Sequence, residues 1–468
     1  MNVRALANQP QFAPLLRAGR FGAAACLGLS LVLIGFRLGG ATPEAYRQQW
    51  RDPGLEERIA RNIEQHRKGD AVLEVVDAAG KPAAGAEVEL RQATHEFLFG
   101  CNGFVLGQLG DEPLNRRYEE LFVKLFNFVS VPFYWAGIEP VQGELRYAEG
   151  VTNIWRRPPP DRFVAFARRH GLTLKGHPLV WFAHNPDWLP RNPEELRQLY
   201  RQRFRDIASR YRDSIPIWDV VNESIITEKQ YPLYTPDRAY VGWAFDEVSP
   251  LFPRSTRLLI NEIAPYNWFP AVSNKYYLQV KQLLATGRAV RGVGLQYHVM
   301  PRQELDSYLR GPNSDPARLL ELYDAFGNLG VPLYITEVTF GSQGDDGEAL
   351  QAEIVRDHYR LWFSVPQMAG ITWWNLGDNL AVPHENAAMG GLVDGQLHPK
   401  PAYFGLDQLI NQEWKTRLER RADERGEVAF RGFFGKYEVT ITHAGKRFRF
   451  EFPHAGDGPR FHRLVLKD

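Results

Sequence analysis

The chain has 468 residues, with 56 Lys and Arg against 55 Asp and Glu for a formal net charge of +1, and is 44% hydrophobic and 24% charged. Balanced charge excludes the one-signed field that recruits nucleic acid or an acidic membrane surface, and the globular composition excludes bulk disorder. The length allows about three domains, although one α/β barrel can occupy most of it. Aromatics reach 13%, with 12 Trp, and indole rings serve equally as core packing or as flat apolar surfaces for neutral sugars. Cys26 and Cys101 are the only cysteines, which leaves no disulfide framework and no zinc-type Cys/His spacing.

Residues 1–41 read as a signal peptide or signal anchor. Phe21 to Phe36 is uncharged, follows Arg4, Arg17 and Arg20, and precedes the first acidic residue, Glu44; this is the pattern of an export signal. As a helix the run would span roughly 24 Å, short of the roughly 30 Å hydrocarbon core. Gly39-Gly40-Ala41 offers small residues for cleavage before Thr42, whereas Arg37 could snorkel and retain the segment as a membrane anchor. Both fates fit, and either implies an exported, extracellular or periplasmic protein.

Residues 42–96 form an N-terminal extension. A charged, helix-prone stretch over 44–68 leads to Ala71–Asp77 and Ala86–Leu90, which flank a turn at Ala79-Gly80-Lys81-Pro82; the spacing predicts a β-hairpin. From Phe97 to Asn411 the pattern becomes eight short apolar runs, beginning at Phe97, Phe126, Thr173, Ile215, Arg257, Gly292, Leu333 and Gly370. Amphipathic stretches separate them, such as Glu194 to Tyr211 with Leu196, Leu199, Tyr200, Phe204, Ile207 and Tyr211 at helical steps. Strand alternating with helix predicts an α/β fold, a (β/α)8 TIM barrel over 97–411; an open doubly wound sheet is the rival, without a Gly-rich phosphate loop to support it. Over 412–468, Val428–Phe434, Lys436–His443 and Lys446–Phe452 alternate between Gly435 and Ala444-Gly445, which predicts a small C-terminal antiparallel β element.

In such a barrel chemistry belongs at the C-terminal strand ends, and polar residues collect there. The third run ends in His177 and Trp181, the fourth in Asn222-Glu223, the fifth in Asn261-Glu262, the sixth in Gln296 and His298, the seventh in Glu337, and the eighth in Trp374, Asn375 and Asp378. One such carboxylate is explained equally well by an ion pair or a cap, but six polar strand ends on one face are not. The inventory has no strand-end Lys for a Schiff base and no Ser-His-Asp order, and it suits hydrolysis by paired carboxylates. Zinc held by His177 and His298 with Glu223 and Glu337 is the rival, but no close His pair supports it; no metal and no cofactor is expected. Asp345-Asp346 with Glu348 reads as a solvated loop.

The segments GHPLVW (Gly176 to Trp181), WDVVNES (Trp218 to Ser224), GVGLQYH (Gly292 to His298), ITEV (Ile335 to Val338), GITWWNLGD (Gly370 to Asp378) and PKPAYFGL (Pro399 to Leu406) resemble glycoside hydrolase family 10, the endo-β-1,4-xylanases, over about Phe97 to Leu409. The resemblance implies a retaining mechanism in which Glu337 is the nucleophile, Glu223 the acid/base, and the carboxyl groups lie about 5 to 5.5 Å apart. It further implies that His298 orients Glu337, that Asn222 binds the sugar 2-hydroxyl, and that His177, Trp181, Gln296 and Trp374 line the sugar site, with Trp374 as a stacking platform. Both β extensions look like those accompanying some members.

Departures from the family pattern are specific. The Glu-Asn pair and Lys expected after the second strand, which hold sugar beyond the cleavage point, are replaced by the tract SVPFYWAGIEP, with Pro132, Phe133 and Ala136 at or near those places. The Asp partner of the His is Thr339, the His after Trp181 is Phe182, and a second Trp after Asp378 is absent from NLAVPHEN. The expectation is therefore an exported glycosidase cutting internal β-1,4 linkages of a plant-type polysaccharide, xylan first, as a monomer. The same chemistry on another β-glycan and a catalytically silent glycan-binding protein are the alternatives.

Overall fold

All eight apolar runs become strands. The computed structural model describes residues 42–263 and 265–467; the segment read as an export signal lies outside them. Among the described residues no helix is long and apolar enough to cross a membrane. Two strands, β1 (Lys68–Asp77) and β2 (Glu87–His95), precede the barrel strands β3 (Leu98–Asn102), β4 (Phe128–Pro132), β5 (Thr173–His177), β6 (Ile217–Asn222), β7 (Arg257–Glu262), β8 (Gly292–Val299), β9 (Leu333–Phe340) and β10 (Met368–Trp373). β3 to β10 pair in parallel in chain order and β10 closes onto β3, so the predicted (β/α)8 barrel is the observed fold. Strands such as β6 and β9 are buried at every position, because their inner face fills the barrel and their outer face meets the helices. The helix Pro193–Tyr211 shows how the outer layer attaches. Asn192 caps its first turn by accepting from the Glu194 and Glu195 N–H groups, while Leu196, Tyr200, Phe204, Ile207 and Tyr211 face inward.

The hairpin expected around Ala79-Gly80 does not form. β1 pairs antiparallel with β12 (Glu427–Phe433) and parallel with β15 (Phe461–Leu466), whereas β2 pairs with β11 (Arg417–Arg421) and β13 (Gly435–His443). The chain begins to return beside β1, with one bridge between Val76 and Pro82. It then turns away at Gly85, whose φ of 73° suits glycine, and crosses to the other sheet. The order β12-β1-β15 and the order β11-β2-β13-β14, with β14 at Lys446–His454, are the two sheets of one sandwich. Leu73, Val75, Val88, Leu90, Tyr437, Val439, Ile441 and Phe452 belong to its core.

The two extensions predicted as separate pieces therefore supply strands to a single β unit. The helices Glu44–Trp50 and Pro53–His66 lie instead on the barrel. Tyr46, Trp50 and Ile59 join its core, Trp50 Nε1 donates to the Ser314 carbonyl at 2.8 Å, and Arg51 pairs with Asp357 at 2.8 Å.

Candidate active site

Parallel strands open every C-terminal end onto one mouth. β6 ends at Asn222, and Glu223 takes a φ of 53°, which is uncommon for a residue with a side chain. The Glu223 N–H donates to the Asn261 carbonyl at 2.8 Å, and the Ile225 N–H to Glu262 Oε2 at 2.8 Å. These bonds to the end of β7 hold the kink at which Glu223 leaves the strand.

Gln296, from β8, ties the carboxylates together. Its Nε2 lies 3.1 Å from Glu223 Oε1, 3.0 Å from Glu337 Oε1 and 3.3 Å from Asn222 Oδ1. One nitrogen thus bridges an oxygen of each carboxylate. Asn261 Nδ2 donates to Glu337 Oε1 at 2.9 Å and to Asn222 Oδ1 at 2.8 Å, and His298 Nε2 lies 3.2 Å from Glu337 Oε2. Trp181 Nε1 donates to Glu223 Oε2 at 2.9 Å. Burial and the neighbouring Glu337 hold the Glu223 carboxyl above its ordinary range, against the opposing pull of the Gln296 and Trp181 hydrogen bonds. The pair thus combines a carboxyl that favours its proton with one surrounded by donors.

The two histidines are oriented differently. His177 Nδ1 lies 2.7 Å from Asp219 Oδ2, which also accepts from buried Lys175 at 2.8 Å, and His177 Nε2 lies 3.8 Å from Glu337 Oε1. Burial would raise Asp219, but Lys175 and His177 outweigh it and keep the carboxyl below its ordinary range. His298 Nδ1 lies 3.0 Å from Thr339 Oγ1. A neutral ring satisfies both contacts when Nε2–H donates to Glu337 and Nδ1 accepts from the hydroxyl, so Thr339 orients this ring without adding a charge.

Every residue expected in the site is brought together here. Of the two indoles, Trp181 is half-buried while Trp374 is 4% exposed, packed edge-on to Phe104, His177 and His298. Trp374 is thus closer to a floor than to the open platform expected of it. Two strand-end acids serve the scaffold: Glu262 holds the chain after Glu223, and Asp378 pairs with Lys400 at 3.1 Å. Asn261, noted as a strand end, is a site residue that had no role from sequence.

One wall was not anticipated. Phe133 turns outward onto Trp218 and Tyr211, and the next residue, Tyr134, meets His177 and Trp181 with ring centroids at 5.5 and 5.4 Å. Arg157 lies 4.0 Å over the Tyr134 ring. The tract without the second Trp supplies Glu385, which accepts from Trp374 Nε1 at 3.2 Å and Asn375 Nδ2 at 3.0 Å and pairs with Arg156 at 3.4 Å. Among the described residues no three His, Cys, Asp or Glu side chains are grouped to hold a metal ion.

The profile of Glycosyl hydrolase family 10 matches residues 116–409. The chain belongs to glycosyl hydrolase family 10. The matched span agrees with the resemblance legible in the sequence, and in this family 10 chain it covers β4 to β10 with the carboxylates above. The endo-1,4-beta-xylanase B of Thermotoga neapolitana is 27% identical over 320 residues, which is 65% of this chain and 86% of that protein. The anti-sigma-I factor RsgI6 of Acetivibrio thermocellus is 26% identical over 411 residues, 85% of this chain but 47% of that protein; the chain thus spans about half of that relative. The crystal structure of xylanase 10B from Thermotoga petrophila RKU-1 in complex with xylobiose superposes with a TM-score of 0.55 at 25% identity, covering 68% of this chain and 95% of that one.

Proposed function

We propose that this family 10 chain is an exported enzyme that cleaves internal β-1,4 linkages of xylan with retention of configuration. Glu337 attacks the anomeric carbon while Glu223 delivers a proton to the leaving oxygen, giving a glycosyl ester on Glu337. Glu223 then takes a proton from water, which displaces the sugar from Glu337. The observation that carries this reading is the Gln296 amide shared by one oxygen of each carboxylate, which supports a closely spaced pair of the kind retaining chemistry uses. The raised Glu223 carboxyl supports its part as the acid. Once Glu337 is esterified its charge is gone, so Glu223 ionises more readily and becomes the base. Asn222, whose Oδ1 is engaged by Asn261 and Gln296, keeps its amide N–H groups for a sugar hydroxyl. Xylan as substrate rests on the family and on relatives named as xylanases, and export on the apolar run Phe21 to Phe36.

The test is reducing-sugar release from xylan, glucan and mannan by the chain lacking residues 1–41, with the anomer of the first product followed by NMR. Retained xylo-oligosaccharides, lost in Glu337→Gln, support the reading; full activity in that variant overturns it. A second reading, the same chemistry on another β-glycan, is favoured by Phe133 packing outward on Tyr211 and Trp218 near where the family pattern has a polar sugar contact. Release from glucan or mannan alone would select it.

A further inference from the structure

Arg157 is a cation built into the cleft wall, and among the described residues no carboxylate forms an ion pair with it. Its guanidinium lies 4.0 Å over the Tyr134 ring, and that ring is one contact from both His177 and Trp181, the latter bonded to Glu223. Nη1 donates to the Arg156 carbonyl at 2.8 Å, while Nε and Nη2 have no hydrogen-bond partner among the described residues. Glu385 adds a favourable charge interaction at a distance, but its own close partners are Arg156, Asn375 and Trp374.

The position is also held firmly. The chain after it is Pro158-Pro159-Pro160, which stiffens the backbone. At Gly137 an added Cβ would come within 2.8 Å of Arg157 Cδ, so a glycine is what admits the Arg stem. Burial draws the guanidinium down to about 10, still charged at neutral pH. A half-buried, aromatic-backed guanidinium with two free donor nitrogens matches the planar, bidentate geometry of a carboxylate.

We infer that Arg157, set against Tyr134, forms a subsite for a carboxylate-bearing sugar, a uronic acid carried by the glycan, so that acidic polymer is preferred over its neutral counterpart. The inference rests on the cleft being the glycan-cleaving site proposed above. Its test compares kcat/KM on glucuronoxylan with that on the same polymer after chemical reduction of its carboxyl groups, for the wild type and Arg157→Gln. The expected wild-type ratio is about tenfold in favour of the acidic polymer, the scale of one charge-assisted contact. It should shrink with added salt, fall toward one in Arg157→Gln and be partly restored in Arg157→Lys. A wild-type ratio of one, or a ratio unchanged in Arg157→Gln although both rates fall, overturns the subsite and leaves the glycosidase standing. Calorimetric titration of both polymers into the Glu337→Gln protein reads the same preference without turnover. Absence of cleavage by the wild type together with preferential binding of the acidic polymer would overturn the enzyme reading and leave the subsite standing. Equal binding of the two polymers, or binding of neither, would overturn the subsite.

Discussion

Trp181 and Gln296 both donate to Glu223, and a donor favours the ionised carboxylate. As the proposed acid, Glu223 must be protonated, so activity should fall as pH rises through its raised pKa. Trp181→Phe removes a donor, raises that pKa further and should move the alkaline limb of kcat/KM to higher pH while lowering its plateau. A pH profile measures both, and a limb moving to lower pH would refute the assignment. Thr339→Val leaves His298 Nδ1 without its hydroxyl partner, and kcat should fall about three- to tenfold, the scale of one hydrogen bond. The carboxylates were legible in the sequence because a charge ending an apolar strand stands out from packing. Tyr134, Arg157 and Glu385 were not, since loop residues meet by three-dimensional route rather than by spacing.

Among the elements, the junction of β6 and β7 holds a buried acid, Glu262. Burial pushes the Glu262 carboxyl up to about 8, against the pull of the Ile225 and Ile263 N–H groups, with the Glu223 charge adding to the rise. The folded protein therefore keeps a proton that the unfolded chain releases above about pH 4.5. Stability from this group is full below that pH and is lost as pH rises toward about 8. The Tm of the wild type should decline across this window, and Glu262→Gln, uncharged throughout, should decline less; parallel curves would show that Glu262 does not set the slope. The barrel strands were readable because burial on both faces writes continuous apolar runs. The false hairpin arose because β1 and β2 each alternate, burying every second residue over much of their length, and alternation identifies a strand without naming its neighbour.

For the molecule as a whole, the sandwich makes residues 68–95 and 417–466 mutually dependent. Removing 412–468 strips β1 of both neighbours and β2 of two, uncovering Leu73, Val75, Val88 and Leu90. The 42–411 fragment should therefore be poorly soluble and bind a hydrophobic dye, although the family match ends at residue 409; a soluble fragment with wild-type Tm would contradict this.

The same arrangement orders events during synthesis. β1 leaves the ribosome before any barrel strand, yet its partners β12 and β15 follow the last of them. The barrel can close while β1 and β2 still wait with bare edges, a state that invites aggregation. A chain halted late in translation would carry every carboxylate of the cleft and still lack the partners that cover β1 and β2.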